Sequence, residues 1–213
     1  MKIDSFKPHR RSIRLRGYDY SQAGAYFVTI CTQNRECLFG EIVDGEINLN
    51  PLGEVILKWW DALPNYYPPV ELDAFVVMPN HLHGIIVIAD SDDRAGKPRS
   101  NNAAVGAMSR RPQTGRDDPA PTPTGKRTLG QLIGYFKFQS TKEINQVRDT
   151  AFARIFQRDY YERIIRNERE WNAIAKYIYD NPANWNADSD NPANFSKRPI
   201  SKSADDYWRD AGL

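Results

Sequence analysis

The chain has 213 residues, long enough for one well-buried core or one domain with appendages, and a formal net charge of only +2. Its two cysteines, Cys31 and Cys37, make neither a disulfide framework nor a zinc-finger spacing. No stretch approaches a membrane span, and the N-terminus lacks the apolar segment of a signal peptide. A soluble, cytoplasmic protein with reduced thiols and no membrane partner is the expectation.

The charge is unevenly placed. Lys2, Lys7, Arg10, Arg11, Arg14 and Arg16 face a single Asp4 in the first sixteen residues. Residues 1–20 read as a basic arm suited to phosphate contact or, more plainly, as a solvated tail. Ala25 to Gln33 is rich in β-branched and aromatic residues and reads as a strand. A short hairpin follows, Glu41 to Val43 and Glu46 to Leu49, on an Asp44-Gly45 turn. Asn50 then caps a helix with Pro51 at its first position, and Leu52, Val55, Ile56, Trp59 and Leu63 recur at helical spacing until Pro64. Two strands are expected at Val70 to Val77 and Leu82 to Ile88, joined through Met78-Pro79-Asn80. Periodicity is lost over residues 89–127, which read as a disordered insertion.

Helix returns at Thr128 to Val147, with Leu129, Leu132, Ile133, Phe136 and Ile144 on one side. A strand near Ala153 to Gln157 is expected next, then the segment Tyr160 to Ile165. The third helix spans Glu168 to Asp180, capped by Asn167 with Glu170 three residues on, and stopped by Asn181-Pro182. Residues 186–213 read as a loose polar tail behind a single domain at 21–185. Strand, helix, strand, strand, helix, strand and an extra helix fit an α+β fold, an antiparallel sheet of ferredoxin-like or RRM-like type. Many functions share that architecture, so chemistry must be read from particular residues.

The chain has three histidines, and two of them, His81 and His83, interrupt the apolar run from Phe75 to Ile88. Residues i and i+2 of a strand share a face, so two imidazoles project side by side, a divalent-metal half-site. The plainer alternative is a pair of polar residues on a solvated strand face. In the third helix Trp171, Ile174, Ala175 and Ile178 make the apolar stripe, Tyr177 lies at its edge, and Asn181 follows on the same face. Packing and a helix C-terminus would explain Tyr177 and Asn181 equally well when each is taken alone. Together with the histidines, an oxygen donor from this helix completes a set that suits Mg²⁺ or Mn²⁺ better than structural zinc.

His81-Leu82-His83 after Val77-Met78-Pro79-Asn80 resembles the histidine-hydrophobic-histidine motif of HUH endonucleases. Tyr177-Ile178-Tyr179-Asp180-Asn181-Pro182 resembles the nucleophile helix of the single-tyrosine insertion-sequence transposases. Phe156 to Asn167 (FQRDYYERIIRN) and Arg16 to Tyr20 (RGYDY) resemble the REP-associated tyrosine transposases, and the likeness covers about residues 10–185. The resemblance implies an HUH nuclease fold with an extra C-terminal helix that bears the nucleophile. By it, His81 and His83 are metal ligands, Tyr177 is the catalytic nucleophile, and Asn181 takes the third-ligand place where the wider family often has Gln. Tyr179 is the competing nucleophile, and Tyr177 is preferred because it shares a face with Asn181.

The implied reaction is attack of the Tyr177 oxygen on a phosphodiester of single-stranded DNA with Mg²⁺ or Mn²⁺, giving a 5′-phosphotyrosine link and a free 3′-hydroxyl. The implied substrate is a palindromic hairpin with flanking single strand, bound by a monomer or a homodimer. Arg10, Arg11, Arg14 and Arg16 would grip the hairpin backbone, and Arg158, Arg163 and Arg166 would line the cleavage groove. Tyr160, Tyr161 and Trp185 are candidates to stack unpaired bases. Two rivals stand beside this transposase. One is a binding module that holds single-stranded DNA or RNA without cutting it. The other is a metallohydrolase that activates water, which lacks an acidic pair close to the histidines in sequence.

Overall fold

The computed structural model describes residue 19 and residues 22–89, 128–188 and 190–197, the last three by backbone alone. Nearly all of the basic arm, with Arg10, Arg11, Arg14 and Arg16, lies outside the described residues, as does the insertion beyond Ala89. Four strands, β1 (Gly24–Cys31), β4 (Val70–Met78), β5 (His81–Ile88) and β6 (Tyr161–Ile165), form an antiparallel sheet in the order β4-β5-β1-β6. A separate hairpin, β2 (Gly40–Val43) and β3 (Glu46–Leu49), turns at Asp44 and Gly45. Their φ values of 53° and 81° are the left-handed pair that a two-residue turn matched to strand twist requires.

Helix α1 (Pro51–Asp61) begins where the Asn50 side chain accepts hydrogen bonds from the Leu52 and Gly53 amides at 2.9 and 3.1 Å. It ends at Asp61, short of Leu63. Pro64 does not break it but sits in the first turn of a separate short helix, α2 (Leu63–Tyr66), where a missing amide proton costs nothing. Helix α3 (Leu129–Val147) opens on a reciprocal cap between Thr128 and Gln131. Helix α4 (Glu168–Asp180) opens on Asn167, whose side chain accepts from the Glu170 amide at 2.9 Å. Among the described residues no helix is long and apolar enough to cross a membrane.

Strand alternation gives the sheet two buried faces. Tyr26, Val28, Ile30, Leu82 and Ile86 pack on one side with Ile56 and Trp60 of α1 and Leu132, Ile133 and Phe136 of α3. Phe27, Ile85 and Ile165 pack on the other with Ile174 and Ile178 of α4. Gly84 lets the first layer close. A β-carbon there would stand 2.4 Å from the Trp60 ring, which instead lies flat on Phe75 at a centroid distance of 4.4 Å.

Two expectations are corrected. Ala153 to Gln157 is not a strand; Phe156 makes a single bridge to Thr32, and the sheet strand is Tyr161–Ile165. Ile155 and Phe156 are buried in the α1–α3 core, which explains their apolar character without sheet pairing. The Lys137 ammonium then gathers the carbonyls of Gln157, Arg158 and Asp159 at 3.0, 3.3 and 3.0 Å and turns the chain into β6. The stretch beyond Trp185 is not loose as far as it is described. It folds into 3₁₀ turns at Trp185–Ala187 and Pro192–Lys197. Its asparagines close them, Asn191 donating to the Trp185 carbonyl at 3.0 Å and Asn194 to those of Asn186 and Asp188 at 2.9 Å.

Candidate active site

The register of β5 decides what surrounds the histidines. Cys31 stands opposite His81, Thr29 opposite His83 and Phe27 opposite Ile85, so both imidazoles emerge on the α4 face, at the end where β1 finishes. They are buried, 1% and 4% exposed, which overturns the solvated-face alternative. His81 Nε2 and His83 Nε2 meet at 3.0 Å. Each ring is held by its other nitrogen, His81 Nδ1 at 2.8 Å from Asn80 Oδ1 and His83 Nδ1 at 2.8 Å from Thr29 Oγ1. Phe27 stacks on His83 at 5.5 Å and closes the apolar side.

Helix α4 supplies the oxygen donors. Tyr177 and Asn181 are one turn apart with Ile174 and Ile178 anchoring the same face in the core. The Tyr177 hydroxyl lies 3.3 Å from His83 Nε2, and its ring meets Phe27 edge-on at 6.1 Å. Tyr179 points away and is 58% exposed. Asn181 is buried, and its Oδ1 has no hydrogen-bond partner in the described structure. Beyond α4, the Trp185 ring stands 6.1 Å from His81. Asp188 directs Oδ2 to within 3.8 Å of His81 Nε2, while its Oδ1 accepts from the Asp190 amide at 2.7 Å.

Electrostatics keep both imidazoles neutral. Burial, and after it the Arg35 guanidinium, pushes His81 down to about 3. Burial, then His81, pushes His83 well below its usual range against the opposing pull of Asp190. Neutral imidazole is the form that binds metals. Two donors about 2.1 Å from one ion are about 3.0 Å apart at a right angle and about 3.4 Å apart at a tetrahedral angle. The observed 3.0 Å matches the right angle of a six-coordinate cation, and equally an imidazole–imidazole hydrogen bond. Among the described residues no group of three or more His, Cys, Asp and Glu side chains is arranged to hold a metal. The donor chemistry is thus two nitrogens with the Asp188 carboxylate 3.8 Å from one of them, and α4 carries a buried, unpaired amide oxygen one turn beyond Tyr177. Nitrogen and oxygen donors without a thiolate fit a hard, partly hydrated cation rather than a closed zinc cage. Cys31 offers no rival nucleophile, since burial, then Asp190, raises its thiol to about 11.

The basic residues expected along the groove fall in three different places. Arg163 faces the α4 side opposite Phe27, and its guanidinium pairs with Glu170 at 3.0 Å, holding β6 to α4. Arg158 is exposed just before β6, on the histidine end of the sheet; Arg166 is exposed just after β6, at the far end where Ile165 pairs with Ala25. Tyr161 packs edge-on against Phe27 at 6.2 Å, and Tyr160 lies under the Lys137 ammonium at 5.4 Å. Sequence reasoning did not single out Thr29, Arg35, Asp188 or Asp190. Only Asn80, adjacent to His81, carried a signal that position alone provides.

Comparison with known proteins adds two findings. A Haemophilus influenzae protein described as uncharacterized is 38% identical over 180 residues, covering 84% of this chain and 92% of its own. A solved structure of a REP-associated tyrosine transposase bound to a REP hairpin superposes with a TM-score of 0.51 at 19% identity, covering 94% of this chain and 87% of that one. No family model matches the chain. At that identity the second likeness establishes a shared fold.

Proposed function

Since the chain belongs to one family with the Haemophilus influenzae protein and has the fold of a REP-associated tyrosine transposase, we propose that it is a metal-dependent transposase that cleaves and rejoins single-stranded DNA at hairpin repeats. One observation carries the reading. The Tyr177 hydroxyl, His83 Nε2 and His81 Nε2 meet in a chain of 3.3 and 3.0 Å contacts, from two elements 94 residues apart. A phenol beside two neutral, buried imidazole nitrogens, on a helix that carries a buried, unpaired amide oxygen one turn on, supports phosphoryl transfer to tyrosine.

His81, His83 and Asn181 would hold Mg²⁺ or Mn²⁺, which when bound acts as a Lewis acid on the scissile phosphate. The rest falls to the protein. Helix α4 holds the Tyr177 oxygen at the histidine end of β5, so attack on phosphorus would need little reorganisation of the nucleophile. The oxygen–phosphorus bond forms as the bond to the 3′-oxygen breaks; the phenol proton is released and the 3′-oxygen departs as hydroxyl. One phosphodiester replaces another, so a free 3′-hydroxyl can reverse the step and transfer the strand without a nucleotide energy source. Arg158 stands at the same end of the sheet and suits a phosphate contact beside the cleavage point.

The test is incubation of the full chain with a labelled hairpin oligonucleotide and Mn²⁺, followed by denaturing electrophoresis. A covalent protein–DNA band that maps to the Tyr177 peptide and is absent from Tyr177→Phe is the expected result. An equal band from Tyr177→Phe would refute the assignment, and hairpin binding without any band under either metal would favour the binding module.

A further inference from the structure

His81 can serve the site only if the nitrogen facing His83 carries a lone pair, and a neutral imidazole places its single proton on one nitrogen or the other. Asn80 settles which. It is fully buried, and its backbone carbonyl accepts from the amide and hydroxyl of Thr32 at 2.9 and 3.0 Å. Its side-chain nitrogen donates to the Arg35 carbonyl at 3.1 Å and to the Asp190 carbonyl at 2.7 Å. Those two acceptors consume both amide protons and fix the amide's orientation, because a flipped amide would set Oδ1 against two carbonyl oxygens. Oδ1 therefore faces His81 Nδ1 at 2.8 Å, and an acceptor there requires the proton on Nδ1.

We propose that Asn80 is a positioning residue that locks His81 in its Nδ1–H tautomer and so aims the Nε2 lone pair at the point shared with His83 and Tyr177. The lock is anchored from two remote parts of the chain. One amide acceptor is Arg35, after β1, and the other is Asp190, beyond α4, and these residues are joined to each other by an ion pair between their side chains. The turn at Asp190, between the two 3₁₀ segments after α4, thereby takes part in setting a histidine on a strand more than a hundred residues earlier. Partners that orient a ligating imidazole through its second nitrogen are worth about 10- to 100-fold in metal affinity.

The consequence for metal binding rests on the proposed role of His81, whereas the tautomer does not. The test uses full-length protein labelled with ¹⁵N-histidine, whose three histidines are His9, His81 and His83. Two-bond proton–nitrogen correlation spectra of the metal-free protein at neutral pH read each tautomer, with His81 assigned by His9→Gln and His83→Gln. His81 is expected as Nδ1–H in the wild type. Asn80→Leu keeps the volume but removes the acceptor, and should move His81 toward Nε2–H and weaken Mn²⁺ binding about 10- to 100-fold by electron paramagnetic resonance. Asn80→Asp keeps the acceptor and loses the two donations, and should retain the Nδ1–H pattern even as its melting temperature falls.

A wild-type His81 protonated on Nε2 would overturn the inference even in a protein that forms the covalent DNA adduct. So would a folded Asn80→Leu with the wild-type pattern. Failure of the adduct alone, with the tautomer as expected, would remove the transposase reading and leave the lock in place. If Asn80→Leu does not fold, the wild-type and Asn80→Asp spectra decide.

Discussion

Replacing Asn181 with leucine tests the site through stability, with no substrate needed. Asn181 is 5% exposed and buries an amide oxygen with no partner. An unsatisfied buried polar atom costs about 1–3 kcal/mol, while any bond made by the amide nitrogen contributes about 0.5–1.5 kcal/mol. Leucine, of similar shape, relieves the first and forfeits the second. The metal-free variant should therefore be more stable by about 1 kcal/mol, a rise of about 2–4 °C in melting temperature for a domain of this size. Mn²⁺ reverses the order. At a hundredfold excess over its dissociation constant a ligand stabilises by about 2.7 kcal/mol, and the wild type should gain that much while the variant loses most of it. Calorimetric melts of both proteins, with chelator and with Mn²⁺, give the four temperatures required. A variant that melts below wild type in chelator yet shows the full Mn²⁺ increment would refute both the orphaned oxygen and its part in holding a cation.

Other perturbations follow from the same geometry. Tyr179→Phe should leave adduct formation within about twofold, since the ring is exposed on the side of α4 away from the histidines; a loss like that of Tyr177→Phe in the same gel would reverse the choice of nucleophile. Gly84→Ala forces a methyl against the Trp60 ring 2.4 Å away and should cost about 1–3 kcal/mol in urea denaturation, whereas an unchanged midpoint would show that α1 yields freely. Acid should unfold the metal-free protein through its histidines. His81 titrates near 6.5 in the unfolded chain but only at about 3 in the fold, so the unfolded chain takes up the proton first. Stability should be whole above about pH 6.5 and fall by about 1.4 kcal/mol per pH unit below it for each histidine held neutral in the fold. Urea midpoints at pH 7.5, 5.5 and 4.5 read this slope, and His81→Gln should reduce it by about half, since burial holds His83 below its usual range as well.

Where a local rule governs, sequence and structure agree. The Asp44-Gly45 turn, the Asn50 and Asn167 caps and the apolar face of α4 each depend on residues a few positions apart. The separation of Tyr177 from Tyr179 was legible for the same reason, because helical spacing alone puts only the former on the face of Asn181. The segment from Ala153 to Gln157 misled because an apolar run reads alike whether Ile155 and Phe156 fill a core or pair in a sheet. The residues after Trp185 misled in the opposite direction. Asparagine-rich composition signals loose chain, yet here those side chains satisfy carbonyls of their own turns.

By itself, then, the amino-acid order determined the α+β class, the two histidines on one strand face, and the phenol and amide on one helix face. It could not determine that the two faces are the same side of the sheet. That was decided by β1, which pairs with β5 and β6 and seats α4 opposite α1 and α3. It also could not place Asn80, Arg35 and Asp190 in one hydrogen-bonded unit. Periodicity carries information over a turn of helix or a step of strand, whereas contacts between distant segments depend on how layers pack, and only the folded chain fixes those.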